Sequence, residues 1–309
     1  LQIARSKNLK AITITVTEKA YKPDSDFAAR LSKVLRDRFD AGGSGIAVIS
    51  CDNLPSNGDF TKRMLRQVIE DKNFWNWVDT NIRFPNSMVD RIVPAPDPGN
   101  RLLIRTEMFN QWVIENDPIS KYFKNTGVQF VSDVKPYELA KIRLFNGIHS
   151  FLAYYGELNG IEFVADVIKN PKINQYVQEM QENEIAKTIA ADFDLFEYAS
   201  SIRNRISNKT LRHKASQIAM DGSQKLPQRV IATLNELADK SIPAPHLVNV
   251  LSTWIKYLAT FNSISDPLAE ILKPLAIAEK YEEIFTAIAH PLNSIYLREL
   301  TNRPLTFST

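Results

Sequence analysis

Residues 9–51 decide the fold class: LKAITITVT at 9–17, DFAARLSKVLRDRF at 26–39, AGGSG at 41–45 and IAVISC at 46–51. The first block is β-branched and almost wholly apolar or threonine, which predicts a buried strand. The second places Phe27, Leu31, Val34, Leu35 and Phe39 at a helical period. The glycines break that helix, and 46–51 is short and apolar, a second strand. Strand, helix and strand in this order predict a parallel crossover, so the front of the chain belongs to an α/β sheet.

Working outward, Asp52-Asn53-Leu54-Pro55-Ser56-Asn57-Gly58 lies just past the second strand. In open α/β sheets ligands bind beyond the carboxyl ends of the strands, which makes Asp52 and Asn53 candidate cofactor contacts. An Asx-rich turn capping the next helix is compatible with that role. The helix is expected over 59–78, with Phe60, Met64, Val68 and Trp75 on its apolar face. Residues 84–94 (FPNSMVDRIVP) read as a further strand-like piece with Asn86 buried in it. A turn-rich link (95–100, APDPGN) and a strand-then-loop pattern (102–115) follow, where Gln111 and Trp112 suit either a cleft wall or the core. Beyond Gly127 the character changes. Apart from 128–131, amphipathic helix is expected to the end, over 160–168, 173–189, 195–206, 228–238, 246–261 and 267–289. The expected architecture is α/β over 1–127 followed by all-α over 128–309.

The second domain opens on VKPYELAKIRLFNGIH, residues 134–149. A helix should begin just after Pro136 and run to Tyr155. Lys141, Asn146 and His149 interrupt an otherwise core-like stretch. At about 100° per residue, Asn146 and His149 lie ~60° apart and Lys141 ~80° from His149. All three can therefore face one cleft, and a lysine, an amide and an imidazole between apolar walls suit proton transfer to and from an alcohol. The plainer account is a solvated lysine, a satisfied amide and a core histidine, and spacing alone favours it.

Composition narrows the classes. Of 309 residues 44% are hydrophobic and 24% charged, as in globular proteins. A net charge of +3 is too small to argue for nucleic acid. The basic run at 203–214 (RNRISNKTLRHK) lacks the interleaved aromatics of single-strand binders, leaving a solvated face or an anion site for a substrate carboxylate. The single cysteine, Cys51, excludes an internal disulfide framework and fits a reducing compartment. Without HExxH or a CxxC pair there is no support for a metal site. No apolar run reaches membrane length and no signal peptide is present, so a cytoplasmic protein with no membrane partner is expected. The chain opens at Leu1, without a methionine and already close to a strand, which suggests a fragment.

Together the segments ITVTEKAY, SCDNLPSNG, FPNSMVDRIVP, FNQWVIE, VQFVSDVKPYELAKIRLFNGIHSFLAYYG and DGSQKLPQR resemble the polyol-specific long-chain dehydrogenases, the mannitol 2-dehydrogenase and fructuronate reductase (mannonate oxidoreductase) family. The resemblance runs to about residue 260. It implies a metal-independent oxidoreductase using NAD or NADP on a ketose or keto-sugar acid, a monomer or weak oligomer. Its fold would be the C-terminal part of a Rossmann-type domain plus a mostly helical substrate domain, with the active site between them. Lys141 matches the family's general acid/base, a lysine whose pKa burial would lower. Asn146 and Asn86 match two amides that hold the reacting oxygen, and His149 the histidine that positions the substrate. Lys225 matches a lysine at the substrate's far end. Residues 211–229, with Arg212 and Arg229 as extra cations, look more like the fructuronate branch, and arginine can grip a uronate carboxylate bidentately. Mannitol and fructose are the alternative pair. The family's glycine-rich dinucleotide fingerprint, expected before the first strand, is absent from this sequence. Gly42-Gly43-Ser44-Gly45 precedes a strand instead of following one. The segment between Pro94 and Glu107 is shorter than is usual in the family. A truncated, non-catalytic chain that keeps the helical domain for binding or assembly is therefore the reading from another class.

Overall fold

The computed structural model describes residues 2–94, 99–100 and 102–302. Residues up to Arg91 and Met108–Glu138 form one compact unit; Ile92–Glu107 and residues from Leu139 onward form the other.

In the first unit a short helix α1 (Gln2–Arg5) precedes β1 (Ala11–Ile14), which pairs in parallel with β2 (Ile46–Ser50), Ala11 opposite Ala47. β3 (Ile82–Arg83) extends the sheet on the other side of β2, again in parallel. The crossover between β1 and β2 is α2 (Asp26–Asp40), whose first turn is capped by Ser25 Oγ accepting from the Ala28 N–H at 3.1 Å. β2 is buried at every position because it has hydrophobic neighbours on both faces. Ile46 and Val48 pack with Leu31 and Leu35 of α2, and the alternate residues Ala47 and Ile49 pack with Ile114 and Ile119.

The single helix expected over 59–78 is two, α3 (Asn57–Val68) and α4 (Lys72–Asn81). Buried Ile69 is extended, and the Asp71 carboxylate restarts the helix by accepting from the N–H groups of Asn73 and Phe74 at 2.9 and 3.1 Å. A second sheet follows. β4 (Ser87–Asp90) runs antiparallel to β5 (Gln111–Glu115), and β6 (Gln129–Val131) is parallel to β5. That pairing keeps the chain in the first unit past Gly127, as far as Glu138. Residues 95–98 of the turn-rich link lie outside the described residues.

The second unit is helical. It is entered from α5 (Lys135–Leu139), all but the last residue of which belongs to the first unit; α5 takes Pro136 into its first turn, earlier than expected, and continues through a π-helical segment Ala140–Gly147 into α6 (Ile148–Leu158). α6 is buried along nearly its whole length, as a helix surrounded by others must be. α7 (Val164–Ile168) and α8 (Pro171–Glu179) follow, and the rest of the expected 173–189 helix winds as π over Met180–Glu184 and 3-10 over Ile185–Thr188. α9 (Leu195–Ile206) has the expected bounds, with Asp194 as its cap. α10 (Ala215–Ala219) and α11 (Gly222–Leu226) lead into a third π segment, Pro227–Ile231, and α12 (Ala232–Asp239). α13 (Pro245–Thr260) runs through the core. The helix expected over 267–289 is divided into α14 (Ala269–Ile277) and α15 (Tyr281–Ala287), with Glu279 between them at φ +53°. α16 (Ser294–Asn302) follows. Among the described residues no helix is long and apolar enough to cross a membrane, and no group of three or more His, Cys, Asp or Glu could hold a metal ion.

Candidate active site

Lys141 and His149, 8% and 6% exposed, stand on one continuous helix, with Asn146 half-buried between them. The turn joining them is wide. Gln181 Nε2 donates to the Leu144 carbonyl at 3.0 Å, and Arg203 Nη1 donates to Gln181 Oε1 at 2.6 Å. These bonds occupy a backbone acceptor that the irregular ladder would otherwise leave wanting. A π turn rotates each residue by less than an α turn, so the 100° wheel does not hold over Ala140–Gly147. Among the described residues the Asn146 side-chain amide has no hydrogen-bonding partner; its carbonyl accepts from Ser150 Oγ at 3.2 Å and Arg229 Nη1 at 3.4 Å.

Around His149 the packing is aromatic and cationic. Phe145 stacks on it with centroids 5.0 Å apart, and His213 meets it edge-on at 5.2 Å. The Arg205 guanidinium lies 4.8 Å from the Phe145 ring centre and is gripped bidentately by Glu107 at 2.9 and 3.0 Å. Glu107 Oε1 also accepts from the Ile92 N–H at 2.6 Å, so the pair ties residues 92–107 to the helical unit. Arg229 Nη1 donates to Ser150 Oγ at 3.1 Å. Burial pushes the His149 pKa well below the ordinary histidine value, and the nearby His213, Arg229, Arg205 and Lys225 push it further. Both effects disfavour the charged imidazolium.

The residues that close this surround owe their places to local backbone features. Phe163 and Lys214 form an isolated antiparallel bridge, with the Val164 N–H on the His213 carbonyl at 3.2 Å. Arg212, at φ +47°, is exposed and stacks 4.4 Å from the Phe163 ring centre, apart from the cluster. Its neighbour His213 is the one that reaches His149. In the DGSQK block, Asp221 adopts φ +56° and Ser223 is held by Asp266 at 2.6 and 2.8 Å. Lys225 Nζ donates to the Met220 carbonyl at 2.6 Å. Gly222 is required by space: a Cβ there would sit 2.6 Å from both Trp254 Nε1 and Tyr154 Oη.

Asn86 and Asp52 belong to the first unit, where both serve the fold. Asn86 Oδ1 accepts from the N–H groups of Gly58 and Asp59 at 2.9 and 3.1 Å; Nδ2 donates to Asp59 Oδ2 and Glu115 Oε1, each at 3.1 Å. It caps α3, and a Cβ on Gly58 would overlap the Phe84 carbonyl oxygen. With no ligand present, both N–H bonds of the amide go to the carboxylates of Asp59 and Glu115. The Asp52 carboxylate accepts from Val16 N, Thr17 N and Tyr21 Oη at 2.8–3.0 Å, while Asn53 beside it is exposed.

Residues 3–125 match the profile of the Mannitol dehydrogenase Rossmann domain, and residues 133–306 that of the Mannitol dehydrogenase C-terminal domain. The chain belongs to the mannitol dehydrogenase family. Its Rossmann-type first unit and mostly helical second unit are those of the family. It is 35% identical over 287 residues to the D-mannonate oxidoreductase of Escherichia coli (strain K12), a match covering 80% of this chain and 59% of that protein. With the mannitol 2-dehydrogenase of Phaeosphaeria nodorum it shares 31% over 287 residues, 84% of this chain and 50% of the other. The chain thus spans between half and three-fifths of these relatives. Among solved structures, Pseudomonas fluorescens mannitol 2-dehydrogenase in ternary complex with NAD and D-mannitol superposes with a TM-score of 0.80 at 26% identity, covering 97% of this chain and 70% of that one.

Proposed function

We propose that this protein is an NAD(P)-dependent oxidoreductase acting on CH–OH groups, interconverting D-fructuronate and D-mannonate with Lys141 as general acid/base. The observation that carries the reading is the Lys141–Asn146–His149 helix, whose imidazole is surrounded by Arg205, Arg229 and Lys225. The 35% identity to a D-mannonate oxidoreductase supports the same choice. A parallel β1-β2-β3 sheet with the Asp52–Asn53 turn beyond β2 fits one end of a dinucleotide. Bound there, NAD(P) would supply or accept the hydride.

The rest falls to the chain's own side chains. Lys141 Nζ gives a proton to the carbonyl oxygen during reduction and takes it back during oxidation. The Asn146 amide donates to that oxygen as negative charge develops on it. His149 holds a neighbouring hydroxyl through Nε2. Arg229, Lys225 and, from its exposed place on Phe163, Arg212 are cations that favour a carboxylate at the far end of the substrate. The alternative pair, mannitol and fructose, is favoured by the likeness to a structure solved with D-mannitol.

Oxidation of NADH by D-fructuronate and by D-fructose tests both readings. D-Fructuronate should lead in kcat/KM by at least about tenfold, and Lys141→Ala should abolish turnover while circular dichroism stays unchanged. Substantial turnover by Lys141→Ala sinks the assignment of the lysine. A preference for D-fructose moves the protein to the mannitol reading.

A further inference from the structure

We infer that His213 is a second substrate contact, its Nδ1 and His149 Nε2 taking neighbouring oxygens of an open-chain polyhydroxylated substrate. This rests on the reading of the Lys141–His149 helix as the place where substrate binds. Both ring nitrogens are buried and have no hydrogen-bonding partner among the described residues. They are two of eight such buried atoms among the described residues, and they are set apart by lying on rings packed edge to face at 5.2 Å and 87°, where one ligand can answer both.

The chemistry of that ligand follows from the state of the rings. Burial holds both imidazoles on the neutral side, with Lys225 adding to the effect at each. A neutral imidazole has one N–H and one lone pair, so each orphaned nitrogen is either a donor or an acceptor. A hydroxyl is both and satisfies either tautomer, whereas a carboxylate oxygen satisfies only the N–H form. Adjacent hydroxyls on a sugar chain therefore match the pair whatever its tautomers.

His213 is also built to stay in place. The Val164 N–H bonds its carbonyl at 3.2 Å, and the Ala215 N–H bonds the Glu162 carbonyl at 2.9 Å, so the backbone is fixed on both sides of the ring. A histidine present only to fill space against His149 would give no reason for a buried, empty Nδ1.

The test uses the 309-residue chain with 15N-labelled histidine and saturating NADH, so that added D-mannonate or D-mannitol binds without turning over. The ring nitrogens of both His149 and His213 should shift on titration. His213→Phe keeps the edge-to-face contact and loses the nitrogens; ligand affinity should fall about tenfold, the loss of one hydrogen bond. His213→Asn, which can place a polar atom near the Nδ1 position, should recover part of it. In turnover the same loss should appear in KM with kcat unchanged, a split that a packing defect would not produce. Shifts at His149 alone, with wild-type affinity in both variants, overturn the inference and leave the proposed function standing. No shift at either histidine with either ligand overturns both.

Discussion

Gln181 Nε2 lies 3.0 Å from the carbonyl oxygen of Leu144, inside the wide turn that separates Lys141 from His149. Gln181 is completely buried, and its other end is held by Arg203 at 2.6 Å. A side chain from one helix thus completes the irregular hydrogen bonding of another. The bond falls within the turn that sets the spacing of the proposed catalytic residues.

Gln181→Leu keeps the apolar bulk and removes both bonds. It removes the Gln181 bond from the Leu144 carbonyl and from the Arg203 guanidinium, which keeps Glu182 at 3.8 Å, at about 1–3 kcal/mol for each buried hydrogen bond lost. The urea midpoint should fall at unchanged slope, and the specific activity of the folded fraction should fall with it as the turn relaxes. A variant as stable and as active as the parent would show that the π segment needs no such support.

Arg205 and Glu107, 8% and 4% exposed at their side chains, form the ion pair behind Phe145. Arg205→Met takes the cation away from a buried carboxylate and should cost about 3–5 kcal/mol. Adding Glu107→Leu should restore most of the loss, because an apolar pair of similar size replaces a charged one. The arginine is also one of the charges that hold the His149 pKa down, so in Arg205→Met that imidazole should titrate at a higher pH than in the parent. NMR titration of the His149 ring protons reads this directly, and an unmoved titration would remove Arg205 from the electrostatics of the site.

Periodicity was enough for the crossover, because β2 alternates cleanly between two apolar clusters and α2 keeps one wet face. Lys141 and His149 stand out in the sequence as polar residues in a core-like run and are both buried; the roles proposed for them come from the family resemblance, since spacing alone favoured a plainer account. Three things were not legible there. A π turn has no residue signature of its own; the bond that supports it comes from Gln181, 37 positions away from Leu144. That Asn86 also caps α3 has no local mark, because the role expected of it comes from the resemblance and the N–H groups it caps lie 28 and 27 positions away. The inward turn of His213 has no mark in the sequence, where it stands between two cations, Arg212 and Lys214. The contact of the His213 ring with His149, against the placement of Arg212 on Phe163, shows which of the two neighbours turns inward.

Gly222 gives a prediction that depends on space alone. Gly222→Ala would place a methyl group 2.6 Å from Trp254 Nε1 and Tyr154 Oη, on side chains that are fully buried and cannot swing away. Overpacking of this kind costs about 1–3 kcal/mol. Calorimetry should therefore show a lower Tm for Gly222→Ala, whereas an unchanged Tm would mean that α11 can shift away from α13 at no cost.

The pH dependence of stability follows from histidines pulled in opposite directions. His246 Nδ1 lies 2.6 Å from Glu184 Oε1, which also accepts from the His246 N–H, and Glu179 faces its Nε2 at 3.3 Å. These carboxylates raise its pKa, with the Glu184 bond the largest cause. The folded state therefore holds this proton more tightly than the unfolded chain. Its stabilisation is complete below the unfolded value of about 6.5 and fades as pH rises through the higher folded value. His149 and His213 are depressed, so their contribution is present above about pH 6.5 and is lost as pH falls. Urea midpoints measured from about pH 5.5 to about pH 8.5, a span centred near the histidine range, separate the two groups. His246→Gln should trail the parent most at the acid end and converge on it toward the alkaline end. His213→Phe should do the reverse, gaining on the parent as pH falls. A gap between His246→Gln and the parent that stays constant across the range would show that Glu184 works only as the cap of α13, on the N–H groups of His246 and Leu247.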